Sequence, residues 1–470
     1  MVGQNQLSVV VFSTVSVRRS SRSPPTLEYS TPGLVWISNR FAPEPVRRSS
    51  RTPSYATITQ IFAREVRHSR SSHLPSSERQ ITTPSRKFKP TTKKKRYIQR
   101  GREDGHNRLV ADYFSDQPVF PPNIFRRRFR MNKELFNRIV ASLPNHSDYF
   151  KCKDDALGNK GLSPLHKCTA AIRQLAYGLS ADQNDEYVRI GETTSIECLK
   201  KFCRGIIEIF GPVYLRRPNA EDVERILHLH KEHHGFPGML GSIDCMHWAW
   251  KNCPVAWQGQ FTRGDHGVPT IMLEAVAYQD LWIWHAFFGV AGSNIDINVL
   301  NQSTLFNDVL QGYSPEIKFT VNGTDYTKGY YLADGIYPEW ATIVKSFSCP
   351  QDLKRKKFKE MQEAARKDVE RAFGVLQSRW AIIRGPSRFW HTSTMNDIIY
   401  ACIIMHNMIV ENEGNAISVW SDDDGDPPTR VRNGSVEAFN RYIQRSAEVR
   451  DKLIHNQLRS DLVEHIWERD

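Results

Sequence analysis

Between residues 97 and 210 apolar side chains recur every three or four positions. Leu135, Phe136, Ile139 and Val140 follow the basic run Arg126-Arg127-Arg128-Phe129-Arg130 at the spacing of an amphipathic helix. A second helix is predicted from Ser163-Pro164, a capping residue followed by Pro at the first helical position, to a stop at Gly178; Leu165, Cys168, Ala171, Ile172 and Leu175 share one face. A polar turn, a short helix over 185–190, a break at Gly191 and a third helix opening at Glu192 complete the outline of a helix-turn-helix. An ordinary helical bundle gives the same outline. If the segment reads DNA, Thr193, Thr194, Ser195, Lys200 and Lys201 face the groove or the phosphates.

The period changes at about residue 236. Strand-length apolar runs at 239–244, 270–278, 281–290, 329–334 and 342–347 alternate with helices starting at Asp296 and crossing 354–379, which predicts a mixed α/β domain to about 412. Only Gln279-Asp280 separates the second run from the third, so these two form a hairpin. Beyond Glu413 an acidic linker (Asp422, Asp423, Asp424, Asp426) leads to a helical tail over 436–467. Residues 1–92 are rich in Ser, Arg, Pro and Thr without a sustained period, and are expected to be a disordered basic arm, a composition that an organelle transit peptide shares. The expected organisation is thus an arm (1–92), a helical DNA-binding region (93–235), the α/β domain (236–412) and a linker with its tail (413–470).

Composition narrows the class. Of 470 residues 40% are hydrophobic, yet no window approaches the ~18 to 20 uncharged apolar residues of a membrane span, so a membrane role is not expected. The net charge of +13 suggests a polyanionic partner, but fourteen Lys and Arg against four Glu within residues 1–90 supply most of it. The clusters Arg86-Lys87-Phe88-Lys89 and Lys93-Lys94-Lys95-Arg96 have the form of a nuclear localisation or nucleic-acid contact. Eight cysteines without a C-x-x-C pair argue against a zinc ribbon and for reduced, structural thiols.

Asp244 and Asp334 each close an apolar run. A carboxylate at the end of a buried strand must cap a helix, pair with a base or bind a cation. On the helix over 363–376, Glu370 lies beside the apolar stripe Val369, Ala372, Phe373 and Leu376, 35 residues after Asp334; Arg366, one turn earlier, offers it a surface ion pair. Phosphodiester chemistry with two divalent cations ~4 Å apart requires such acids at the ends of adjacent strands, facing one cavity.

The words Gly-Ser-Ile-Asp-Cys-Met-His-Trp (241–248), Ala-Asp-Gly-Ile-Tyr-Pro (333–338), Asp-Val-Glu-Arg-Ala-Phe-Gly-Val-Leu (368–376) and Met-His-Asn-Met-Ile-Val (405–410) occur in this order, and with them the chain resembles the plant branch of the PIF/Harbinger superfamily of DDE transposases from about residue 97 to 470. The resemblance implies an RNase H-like catalytic domain in which Asp244, Asp334 and Glu370 are the catalytic metal ligands for two Mg²⁺ or Mn²⁺ ions. It implies cleavage and joining at transposon terminal inverted repeats, a nuclear location, a separate Myb-like DNA-binding partner and possible homo-oligomers. The alternative is a domesticated, catalytically silent descendant acting as a chromatin-associated interaction protein. Such descendants are expected to lose the acidic triad, which this chain keeps.

Other residues have two readings. Asp296 assists metal or DNA binding, or caps the helix it begins, which is the simpler role. His247 orients a phosphate or a carboxylate, or is structural, and His406 reads as a core residue. Trp248, Trp250, Trp257, Trp282 and Trp284 could stack on bases, although alternation of the last two on a strand fits packing better. Lys354, Arg355, Lys356 and Lys357 touch phosphates, or form a solvated helix start.

Overall fold

A computed structural model describes residues 98–154, 156, 158, 160–264, 267–414 and 436–469. The expected basic arm (1–92), the basic clusters over 86–96 and the acidic run at 422–426 lie outside the described residues.

The first half is helical: α1 (Arg102–Leu109, continued by a π-turn over Val110–Phe114), α2 (Pro122–Phe129), α3 (Lys133–His146), α4 (Pro164–Tyr177), α5 (Gln183–Val188), α6 (Glu192–Tyr214) and α7 (Ala220–His234). Local signals set the ends. Ser163 Oγ accepts from the His166 amide at the start of α4, and Gly178, at φ 64°, closes it in the left-handed region where glycine has no Cβ penalty. At α7, Asn219 and Asp222 form a reciprocal capping box.

The second half holds the sheet. Strands β1 (Met239–Ala249), β2 (Thr270–Ala277), β3 (Ile283–Ala291), β6 (Tyr330–Ala333) and β7 (Ile343–Lys345) lie in the order β3-β2-β1-β6-β7, with β4 (Phe319–Val321) and β5 (Thr324–Tyr326) in a separate ribbon. β2 runs antiparallel to both neighbours, whereas β1, β6 and β7 are mutually parallel. The helices are α8 (Val255–Phe261), α9 (Asp296–Gln302), α10 (Asn307–Gln311), α11 (Leu353–Arg379), α12 (Ala381–Arg384), α13 (Thr392–Asn412), α14 (Val436–Val449) and α15 (Lys452–Glu468). Every residue of β2 is buried, because helices cover both faces of a mixed sheet. This mixed α/β arrangement is compatible with an RNase H-like domain.

Two features differ from the sequence reading. The boundary expected near 235 does not separate two cores. One apolar cluster runs from Leu109 and Phe136 through Phe202 to Trp282, Leu376 and Met408, and the buried Asn407 amide donates to both Tyr214 O on α6 and Ile283 O on β3. The helical tail, moreover, is two helices, and the second is structural. Asp451 caps α15 by accepting from the Leu453 and Ile454 amides, and Leu458, Leu462 and Ile466 pack on Phe236, Tyr330, Phe358 and Ala365.

Candidate carboxylate active site

Asp244 lies in the middle of β1 rather than at its end. The strand continues through Cys245, His247 and Ala249 because these residues pair with Glu274, Met272 and Thr270 of β2, a partner beyond the reach of local hydrophobicity. On its other side β1 pairs with β6 in parallel, Ser242 opposite Leu332; Asp334 follows directly on the last residue of β6, and it is near enough to Asp244 for the two charges to interact. Ser242 Oγ donates to Ala365 O of α11 at 3.0 Å, so this face of β1 looks at α11, and Asp244 shares it by the two-residue repeat of a strand.

Glu370 extends from α11 toward that face, its side chain 44% exposed. Arg366, one turn earlier, is mostly buried and bridges the two acids, with Nη2 2.7 Å from Glu370 Oε1 and Nη1 3.3 Å from Asp244 Oδ2. The ion pair read from the sequence as a surface pair is thus part of the site. Asp244 Oδ1 accepts from the Cys245 amide at 2.8 Å, and Asp334 Oδ1 from the Ile336 amide at 2.9 Å.

Burial pushes the Asp244 carboxyl up to about 6; the Cys245 amide and Arg366 pull it back, and Asp296 and Asp334 push it further up. Asp296 is raised as well, first by burial and then by Asp334. The capping role preferred for Asp296 is not realised: Ile295 stands at the N-cap of α9, and Asp296, the first helical residue, belongs electrostatically to the acid cluster.

Among the described residues no three His, Cys, Asp or Glu side chains form a ready-made metal site. Carboxylate oxygens, those of Asp244, Asp334 and Glu370, are the donor type that a hard cation takes, and Asp244 is raised chiefly by burial, with Asp296 and Asp334 adding to it. Arg366 supplies the positive charge that this cluster demands.

The other expected site residues are elsewhere. His247 Nδ1 lies 2.8 Å from Thr270 Oγ1, on the face of β1 opposite Asp244, in keeping with a structural role. Of the basic run at the start of α11, Lys354 pairs with Glu464 of α15, Lys357 lies over the Trp467 ring, and Arg355 pairs with Asp352 and lies over Phe347; Lys356 is exposed. The run is about 20 Å along the helix from Glu370 and in part serves to dock α15. Thr193, Lys200 and Lys201 are exposed on α6 and Thr194 half-buried, but Ser195 is fully buried, where its hydroxyl accepts from Gln174 Nε2 and Asn184 Nδ2. Ser195 therefore faces the bundle and no groove.

Trp248, Trp250, Trp282 and Trp284 are buried, the first two with indole N–H groups on Gly385 O and Phe389 O; Trp257 is exposed. His406 is a core residue, its Nε2 2.8 Å from Leu281 O and Nδ1 3.0 Å from Arg379 Nη1. Arg366 is the member of the acid cluster that sequence reasoning undervalued; its place one turn before Glu370 was the available signal.

A family profile described as plant transposon protein matches residues 212–417, the stretch that holds Asp244, Asp334, Arg366 and Glu370. The chain is 22% identical over 319 residues to Protein ALP1-like of Arabidopsis thaliana, covering 67% of this chain and 76% of that protein. It is 21% identical over 267 residues to Putative nuclease HARBI1 of Bos taurus, covering 56% and 71%. Both relatives are of the Harbinger transposase-derived nuclease family, and over these stretches the chain is similar to them. Residues 105–144 also match a domain of unknown function, which corresponds to α1 through most of α3. No solved structure matches.

Proposed function

We propose that this chain is a Harbinger-type, metal-dependent DNA endonuclease and transposase that cleaves and joins DNA at terminal inverted repeats. One observation supports the reading: Asp244 on β1 and Asp334 just past the end of the parallel strand β6 are close enough for their charges to interact, and Arg366 ties Asp244 to Glu370 on the helix over the same face. Asp244, Asp334 and Glu370 would hold two Mg²⁺ or Mn²⁺ ions, with Asp296 at the margin. Such ions, when bound, activate the attacking oxygen and stabilise the leaving 3′-oxygen.

The protein's own groups set the conditions. Burial keeps the Asp244 environment poor in water, which strengthens every charge interaction there. Arg366 must release Asp244 or Glu370 before both can turn toward a common ligand, and its freed guanidinium then suits a phosphate oxygen. The exposed Thr193, Lys200 and Lys201 on α6 are the phosphate contacts of the helix-turn-helix reading, and Lys356 is a further candidate near the start of α11. A nuclear location, a Myb-like DNA-binding partner and possible homo-oligomers belong to the same proposal.

A second reading, a catalytically silent descendant in a chromatin-associated complex, is favoured by one feature, the Arg366 side chain seated between two of the acids. Mg²⁺-dependent nicking of a duplex carrying the inverted repeats that flank its gene, with the Myb-like partner supplied, separates the two. The nuclease reading expects nicking that Asp334→Ala abolishes. Equal activity in both proteins, or none in either while both are folded, supports the silent descendant.

A further inference from the structure

Between β1 and β2 the chain makes an excursion over 250–269, and its outer surface is apolar and aromatic. Val255 is 84% exposed, Trp257 42% and Val268 50%, although each could have been buried in a domain with so large a core. A second segment is laid against it. Trp250 and Ser387 form a parallel bridge, Lys251 N donates to Ser387 O at 2.9 Å, and the Trp250 indole donates to Phe389 O at 2.8 Å. This pairing brings Trp390, 59% exposed, onto the same ledge, since the Trp250 ring that holds its neighbour also lies 6.0 Å from Trp257.

Charge on the ledge is one-sided. Residues 250–270 and 381–391 carry Lys251, Arg263, Arg384 and Arg388 against a single acid, Asp265. Lys251, Arg384 and Arg388 are exposed. The ledge also leans on the acid site: Ser293 Oγ donates to Gln260 O at 2.5 Å, three residues before Asp296, and Arg263 is close enough to offset part of the rise that burial and Asp334 impose on the Asp296 carboxyl. From Asp244 to the end of β1 is about 16 Å, a span of a few nucleotides.

We infer that this ledge binds a nucleic-acid strand with unpaired bases next to the carboxylate site, Trp257 and Trp390 stacking on bases while Lys251 and Arg388 contact phosphates. The inference rests on the nuclease reading for its biological setting, but not for its physics. Exposed indole faces gain from stacking only if a base face is available, and duplex bases hide theirs against each other. A protein partner could bury the indoles as well but would have to bring acidic side chains to meet the cations, whereas a nucleic-acid strand supplies base faces and phosphates together.

The test is fluorescence anisotropy of the full chain with a labelled single-stranded DNA oligonucleotide and with the matching blunt duplex, in EDTA so that no cleavage occurs. Trp257→Ala and Trp390→Ala are each expected to weaken single-strand binding about tenfold and duplex binding much less. Trp257→Tyr, which keeps a ring, is expected to restore most of the loss, and this separates stacking from a loosened excursion. Lys251→Ala and Arg388→Ala are expected to weaken both substrates and to reduce the single-strand salt slope by about 0.7 each. Unchanged single-strand affinity in both tryptophan variants, or equal losses on single strand and duplex, overturns the inference and leaves the ledge to a protein partner. The nuclease reading fails separately: Asp334→Asn is expected to bind as wild type and lose nicking, so nicking that survives in Asp334→Asn refutes the acid site while leaving the ledge intact.

Discussion

Replacing Asp244 by Asn should stabilise this protein at neutral pH. The folded structure raises the Asp244 carboxyl from 3.8 to about 6, the reverse of the usual buried, paired aspartate. Below about pH 4 the group is protonated whether the chain is folded or not, and it has no linked effect. Between about 4 and 6 the unfolded chain ionises first, so stability falls as pH rises. Above 6 the penalty is complete, at roughly 3 kcal/mol. Asn cannot ionise, and its side-chain oxygen can still accept from the Cys245 amide, while Arg366 keeps Glu370 as a partner. The lost Arg366 contact takes back part of the gain, which leaves an expected stabilisation of about 2 kcal/mol at pH 7.5 that shrinks toward zero at pH 4. Urea denaturation in EDTA at these two pH values measures it. Destabilisation at pH 7.5, or a difference independent of pH, would refute the argument that burial and neighbouring acids hold Asp244 in a costly ionised state.

Arg366→Gln removes the only cation bridging Asp244 and Glu370 among the described contacts, so Mn²⁺ affinity measured by electron paramagnetic resonance should rise about tenfold; unchanged or weaker binding would show that Arg366 does not compete with the ion. Leu462→Ala, at a fully buried position of α15, should cost about 2 to 5 kcal/mol in denaturant unfolding, whereas a peripheral tail would lose less than about 1.

The strands of the sheet were legible because their apolar runs are short and bounded, and α4 because Ser163 and Gly178 mark its ends. The acids were legible as residues and not as geometry. Asp244 looked terminal since it is itself the polar residue that closes the apolar run, and only pairing with β2, supplied by residues 270–277, continues the strand. Arg366 looked like half of a surface pair because an i,i+4 count carries no information about Asp244, more than a hundred residues away in sequence. Long range misled at Lys354 too, where the partner Glu464 comes from α15. Ser195 read as a groove residue because a Thr/Ser-rich helix start looks alike whether it meets phosphates or, as here, Gln174 and Asn184.

The seating of α15 beneath α11 has a consequence for synthesis. Leu458, Leu462 and Ile466 complete the apolar bed under Phe358 and Ala365, on the helix that presents Arg366 and Glu370. On the ribosome, Asp244 and Asp334 emerge long before residues 452–468, and at about 5 to 20 residues per second the helix opposite them waits several seconds for its support. A nascent chain therefore assembles its acid cluster late, when the segment that braces α11 has been translated, and a truncated product carries the acids without the brace that aligns them.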